Sequence, residues 1–355
     1  MRTGDPLPRQ AQAKEKTGNS PRGDMTPAYG IQHILVGVDG PVRSAICIEY
    51  ALSLATTFDA AVTLLHVMEH HDDDFGPHST DALGWELARQ EARARLERLG
   101  QDAARTSGRR VDVRLEQGRP AERIVALARE VGADLVVLGS HDQDEHPSWG
   151  LGSTAQKVLL AACSSVLIAR GSGASPTFVP PKRILVPLDG SLRTESVLPT
   201  ATSIAVTHGA QLVLVHVVAD PMPTGILAAP ADLQLARDLA TRLEHEADRY
   251  LGRIRHHVNY DESLVLTQVA RKVDQREFLV ELSVREQIDL IVLSAHGSTC
   301  NVERPFGSVT AHLLTHSKVP VLVVQDLPTS ELRSDGEADE RRAPPPRGTY
   351  PPELA

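Results

Sequence analysis

The chain repeats itself, and this constrains its architecture more than any single motif does. Residues 34–40 read ILVGVDG and residues 184–190 read ILVPLDG; TLLHVM at 63–68 is answered by VLVHVV at 213–218, again 150 positions on. ADLVVLGSH at 133–141 matches IDLIVLSAH at 288–296, and GSTAQKVLLAACSSVLIAR at 152–170 matches GSVTAHLLTHSKVPVLVVQ at 307–325, both at an offset of 155. Four blocks in the same order are an internal duplication. Each copy of about 140 residues is too long for a solenoid unit and suits a whole domain. The expected organisation is a first domain over 31–172, a Gly/Ser/Pro-rich linker over 173–181 and a second domain over 182–326. Polar, Pro-rich tails over 1–30 and 327–355 are expected to be disordered.

Within each copy, short β-branched apolar runs alternate with helical spacing. The runs LVVL and LIVL that follow the aspartates of DLVVL and DLIVL are apolar throughout, as strands covered on both faces must be, so the expected fold is α/β: a doubly wound, Rossmann-like parallel sheet in each domain. Ile124 and Ala128 mark one helical face, and Leu235, Leu239 and Leu243 mark another. The last strands, SVLIAR at 165–170 and PVLVVQ at 320–325, would be exposed apolar edges. Such edges tend to be covered by pairing, so the two domains should pack as a pseudo-dimer through them. Association of two chains into a homodimer is left open.

Composition narrows the partners. Aromatics make up 3% of the chain and the formal charge is −9. Few rings for base stacking and no basic excess argue against a nucleic-acid binder. Cys47, Cys163 and Cys300 are far apart and odd in number, which suits reduced thiols in a cytoplasmic protein. No run approaches the ~18 apolar residues of a membrane span, so no membrane partner is expected.

Between the run DLIVL and the helically spaced TAHLLTHS lies SAHGSTCNVERPFGSV, residues 294–309. Glycines where a strand gives way to a helix N-terminus suit anion binding, because free N–H groups and the helix dipole point the same way. A tight turn that merely needs glycine is the competing reading. Taken together, ILVPLDGS, LVLVHV, DLIVLSAHG and FGSVTAHLLTHSKVPVLVV resemble a universal stress protein domain, and both halves carry the set. The resemblance covers roughly 31–172 and 182–326.

That resemblance implies a fold of the adenine-nucleotide alpha-hydrolase-like group and a ligand at the strand ends: ATP or another adenine nucleotide, with or without Mg²⁺. It implies a binding and regulatory role in stress response, not an enzymatic one. The nucleotide-binding pattern is a glycine, two residues, a glycine, nine residues, then Gly-Ser or Gly-Thr. The second half has Ser294 at the first position, then Gly297 and Gly307-Ser308; the first has Gly139, then Asp142 at the middle position, then Gly152-Ser153. By the same resemblance Asp39 or Asp189 would face the adenosine, and the main chain at Val67 or Val217 would recognise adenine. Ser153 or Ser308 would donate to phosphate. Strand-end capping is the alternative for the aspartates and helix capping for the serines. The implied set is completed by Pro187, Leu188, His296 and Val309 in the second domain and by Val38 and Thr154 in the first.

The second domain should be the better site. Asp142 sets a carboxylate where backbone should approach phosphate, Asp144 and Glu145 add to it, and the second loop offers Arg304 instead. The stretch EHHDDD at 69–74, with His78 and His146, reads as a solvated acidic loop rather than a metal site. His66 and His216, and His141 and His296, are equivalent pairs best read as structural. No GxSxG elbow, Walker A or GxGxxG pattern places a reaction. A non-binding interaction module with decayed motifs is the alternative function.

Overall fold

A computed structural model describes residues 30–69, 82–140, 151–170, 178–219, 230–272, 274–298 and 305–325, apart from the side chains of residues 41 and 42. The first half runs β1 (His33–Gly37), α1 (Pro41–Phe58), β2 (Ala61–Met68), α2 (Ala82–Ser107), β3 (Val111–Gln117), α3 (Pro120–Glu130), β4 (Leu135–Gly139), α4 (Ser153–Ala161) and β5 (Ser165–Ala169). The second runs β6 (Arg183–Pro187), the short α5 (Leu192–Glu195), α6 (Leu198–His208), β7 (Gln211–Ala219), α7 (Pro230–His257), β8 (Val265–Lys272), α8 (Gln275–Arg285), β9 (Leu290–Ser294), α9 (Ser308–His316) and β10 (Val321–Val324).

The strands form one sheet of ten, in the order β3-β2-β1-β4-β5-β10-β9-β6-β7-β8. All neighbours are parallel except β5 and β10, which pair antiparallel with Leu322 opposite Leu167. The duplicated edges therefore meet and close each other, as expected of the pseudo-dimer. Both leucines are buried, and the central strands are apolar on both faces because helices cover both.

Repeated polar residues explain themselves locally. Asp134 and Asp289 precede the strands β4 and β9. Asp134 Oδ2 accepts from the backbone N–H groups of Gln32 and His33, and Asp289 Oδ2 from those of Lys182 and Arg183. Each carboxylate thus starts the first strand of its half. Gly40 and Gly190 follow the strand-end aspartates with φ of 66° and 85°, a left-handed turn that disfavours any side chain.

The halves are also joined by side chains. Arg170, at the end of β5 and 9% exposed, donates to the carbonyls of Leu314 and Ser317 at the C-terminus of α9. Burial lowers its pKa to about 10, which leaves it charged at neutral pH. Tyr50 meets Phe178 edge-on at 4.8 Å, and Ser53 Oγ bonds His208 Nε2 at 2.9 Å.

The helix whose face Leu235, Leu239 and Leu243 mark is present as α7. Leu235 and Leu239 are exposed, and the buried face of α7 is Ala240, Ala247 and Leu251. The helix packs on β7 and β8, and its buried residues begin at Ala240, past the first leucines. Ile124 and Ala128 are buried as expected. Among the described residues, no helix is long and apolar enough to cross a membrane.

Candidate functional site

At the carboxyl ends of the strands each half opens a cleft. The second, of about 690 Å³, is lined by Pro187, Leu188, Asp189, Val217, Ser294, His296, Gly297, Gly307, Ser308 and Val309, so all the residues expected in this half come together. The first, of about 550 Å³, gathers Val38, Asp39, Val67, Gly139, Gly152 and Thr154; Ser153 is exposed but does not line it. Asp142, Asp144, Glu145 and Arg304, on which the charge contrast between the loops rests, lie outside the described residues, as do His141, Cys300, both tails and nearly all of the acidic 69–74 stretch.

Asp189 organises the second cleft. Its Oδ1 accepts from Ser191 N–H (3.0 Å), Ser191 Oγ (2.6 Å) and Thr194 Oγ1 (2.9 Å), and its Oδ2 from Ser298 N–H (2.6 Å). Burial pushes its pKa up, but the bonds from Ser191, Ser298 and Thr194 outweigh it and hold the carboxyl below its usual range. Gly297 is glycine for the same reason. A Cβ there would lie 2.3 Å from Asp189 Oδ2.

Neither serine is a helix cap. The cap positions are Gly152 and Gly307, extended at ψ of 151° and 160°, and Ser153 and Ser308 are the first helical residues. The extended glycine starts each helix one residue earlier than capping by serine requires. The result is two helix N-termini without a side-chain cap, the arrangement that leaves first-turn N–H groups for another acceptor. Ser294, where the nucleotide-binding pattern has glycine, turns its hydroxyl onto the His296 carbonyl at 2.6 Å, and its own carbonyl accepts from Thr310 Oγ1 at 2.9 Å.

A family model, that of the universal stress protein family, matches residues 30–170 and again 180–325. The chain belongs to the universal stress protein family. A universal stress protein of Mycolicibacterium smegmatis is 26% identical over 311 residues, covering 84% of this chain and 97% of the relative. Two solved structures are similar at 16% identity. One, a protein of unknown function from Pseudomonas aeruginosa PAO1, has a TM-score of 0.61 over 88% of this chain and 98% of its own. The other, a universal stress protein from Archaeoglobus fulgidus, has a TM-score of 0.55 over 84% and 97%. The doubly wound tandem is therefore a fold that this chain shares with both solved structures.

Other residues of this universal stress protein reach the second cleft without having been picked out by motif. Gln275, opening α8, donates from Nε2 to the Val217 carbonyl at 3.0 Å, so that main-chain edge already has one partner. Leu243, Ala247, Tyr250 and Arg253 approach from α7. Leu243 and Ala247 share the helical spacing of Ala240, Leu243, Ala247 and Leu251, whereas Tyr250 and Arg253 carry no such signal. Tyr250 stands edge-on to His216 at 5.9 Å, and burial, followed by the nearby Glu195, raises its pKa. The histidines differ between halves. His66 Nδ1 bonds the Val38 carbonyl at 2.9 Å; His216 has the Leu188 carbonyl nearby, but its Nδ1 makes no bond of good geometry.

In the first cleft the equivalent aspartate has fewer partners among the described residues. Asp39 is exposed and pairs with Arg43 at 3.2 Å. Cys47 lies beneath Gly139, where a Cβ would approach its Sγ to 3.3 Å. Burial pushes the Cys47 thiol up to about 12, against the lowering effect of Arg43, so it is a packed thiol and not a nucleophile.

Proposed function

We propose that the second cleft binds an adenine nucleotide, ATP or a close relative, as a regulatory ligand, and that the protein serves a cytoplasmic stress response through ligand-dependent conformation rather than turnover. One observation carries the reading: α9 opens onto the cleft at Gly307 with no side-chain cap, and the protein itself has no need of glycine there. Its φ is −65°, and a Cβ would make only ordinary contacts of 3.7–3.8 Å with Ala295, His296 and Gly297. Close approach of a phosphate to the helix N-terminus supplies the missing reason. Asp189 Oδ2 retains a lone pair beyond its bond from Ser298, enough for a ribose hydroxyl.

Among the described residues no group of three His, Cys, Asp or Glu is arranged to hold a metal, so Mg²⁺ would arrive with the phosphates. Calorimetric titration of the full chain with ATP, with Mg²⁺ and with chelator, tests the reading. Gly307→Val should weaken binding about tenfold or more, since a branched side chain denies phosphate the helix N–H groups, while the melting temperature stays within a few degrees. A wild-type chain that neither carries nucleotide through purification nor takes up ATP would overturn it.

A further inference from the structure

The two cleft helices differ in what holds their far ends. At the C-terminus of α4, Arg129 of α3 donates to the Ala161 carbonyl at 3.3 Å, an exposed contact inside the first half. The residue corresponding to Arg129 in the second half is Val284, which cannot do this. Instead the C-terminus of α9 is gripped by Arg170, which comes from the other half and is buried. The residue corresponding to Arg170 is Gln325, whose backbone N–H bonds Ser165 Oγ at 3.1 Å. The clamp therefore runs one way only, from the first half into the second.

A buried guanidinium is costly to desolvate and is retained where its geometry is fixed by partners. Here the partners are two carbonyls in the last turn of a nine-residue helix, a place where positive charge is favourable. Thr310 Oγ1 fixes the other end of the same helix to the Ser294 carbonyl at 2.9 Å; the corresponding residue in α4 is Ala155, which has no hydroxyl. With both ends tied, α9 cannot slide or tilt without breaking a buried bond. Its N-terminus is the one that opens onto the second cleft.

We infer that Arg170 is a positioning residue for the second cleft: it sets the placement of the α9 N-terminus across the seam between the halves, so the second site is complete only when the first half is docked. The inference rests on the nucleotide reading for its effect on binding, but not for its effect on the helix. The first cleft needs no such contribution from the second half, because Arg129 serves α4 from within.

The test uses the full chain with Arg170→Gln, Arg170→Lys and, as the mirror control, Arg129→Gln. Amide hydrogen exchange without ligand is followed at α9 and α4, and ATP affinity is followed by calorimetry. Arg170→Gln should speed exchange in α9 about tenfold or more, since both charged hydrogen bonds are lost and the shorter amide replaces at most one of them, with α4 unchanged. It should also weaken ATP binding severalfold, with Arg170→Lys partway back. Arg129→Gln should move α4 and leave ATP affinity at the second site unchanged. If wild type binds ATP while Arg170→Gln changes neither the affinity nor α9 exchange, the inference is wrong. Exchange that rises equally in α4 and α9 also overturns it, since that is loss of stability and not of position. If wild type takes no ATP but α9 alone loosens, the nucleotide reading falls and the positioning role stands. Should Arg170→Gln fail to fold, the same comparison is made with Arg170→Lys, which keeps the charge but cannot serve two carbonyls in one plane.

Discussion

The two clefts descend from one sequence, share one fold and differ in how firmly their aspartates are held. Asp39 is exposed and, among the described residues, bonds only Arg43, whereas Asp189 is tied by Ser191, Thr194 and Ser298 into the loop that carries Gly297. Exposed ion pairs contribute little and constrain little. A carboxylate with four donors fixes both strand-end loops before any ligand arrives, and binding then costs less ordering. The two clefts share their strand ends and helix-opening glycines, and among the described residues the polar contacts of the second aspartate are what distinguish them.

At the seam the two halves contribute matching apolar strands, and the largest effects are expected there. Leu167→Ala and Leu322→Ala each empty a buried site in the antiparallel pair and should cost about 2–5 kcal/mol in denaturant unfolding. Because the two side chains face each other across the strands, the double substitution should cost less than the sum. Unfolding should remain a single transition in each variant. Two separated transitions would mean that the halves fold independently and that the ten-stranded sheet is not one cooperative unit.

The glycines of the two loops give the next contrast. Gly297→Ala forces a Cβ against Asp189 Oδ2 and must displace the bond from Ser298, so ATP affinity should fall about tenfold, as expected for one charged hydrogen bond. Among the described residues, a Cβ at Gly139 would meet Cys47 Sγ at 3.3 Å and Arg43 Cβ at 3.5 Å. Gly139→Ala should therefore cost under about 1.5 kcal/mol of stability and leave that affinity unchanged. The reverse outcome in calorimetry would make the first cleft the prepared one.

Much of this was legible before any coordinates. The offset blocks fixed the tandem, the continuous apolar runs implied parallel strands, and the apolar last strands implied the pairing of β5 with β10. Each rests on a pattern repeated over many residues, where propensity and burial agree. The residues that make the halves unequal were not legible. Gln275 meets Val217, Arg170 meets Leu314 and Ser317, and Ser298 meets Asp189, all across long stretches of sequence. No local period announces such contacts. Leu235 and Leu239 show the converse, a helical stripe whose leucines stay exposed. Ser153 and Ser308 suited capping by residue type, and only the extended backbone at Gly152 and Gly307 moved the cap away from them.

Acid titration sharpens the comparison of the aspartates. The carboxyl of Asp189 is held below its usual range, so its folded form binds its proton more weakly than the unfolded chain does. The stability this contributes is fully present above the unfolded value and is lost as pH falls through the lowered folded value. Wild type should therefore exceed Asp189→Asn by a constant margin between about pH 5 and 7, with the margin closing below about pH 4. Asp39→Asn should change stability at neutral pH by less than about 0.5 kcal/mol. A margin for Asp189→Asn that persists undiminished at the acid end would show that its loop is held by something other than the charge.

The smallest expected effect lies where α1 and α6 face each other. Ser53 bonds His208, but the corresponding Ser203 bonds the Pro199 carbonyl of its own helix, and Phe58 stands where the second half has His208. Burial lowers the pKa of His208, so the folded protein favours the neutral ring. By linkage the stability tied to that neutral ring is present above the unfolded histidine value of about 6.5 and drains away as pH falls through the lower folded value. Melting temperatures at about pH 7.5 and 5.5 should therefore differ more for wild type than for His208→Gln, which keeps a polar partner for Ser53 but cannot titrate. Because the ring is only partly buried, solvent screening keeps the difference small. If the two chains lose the same stability on acidification, His208 does not titrate between the folded and unfolded states, and the asymmetry of this helix pair is one of packing alone.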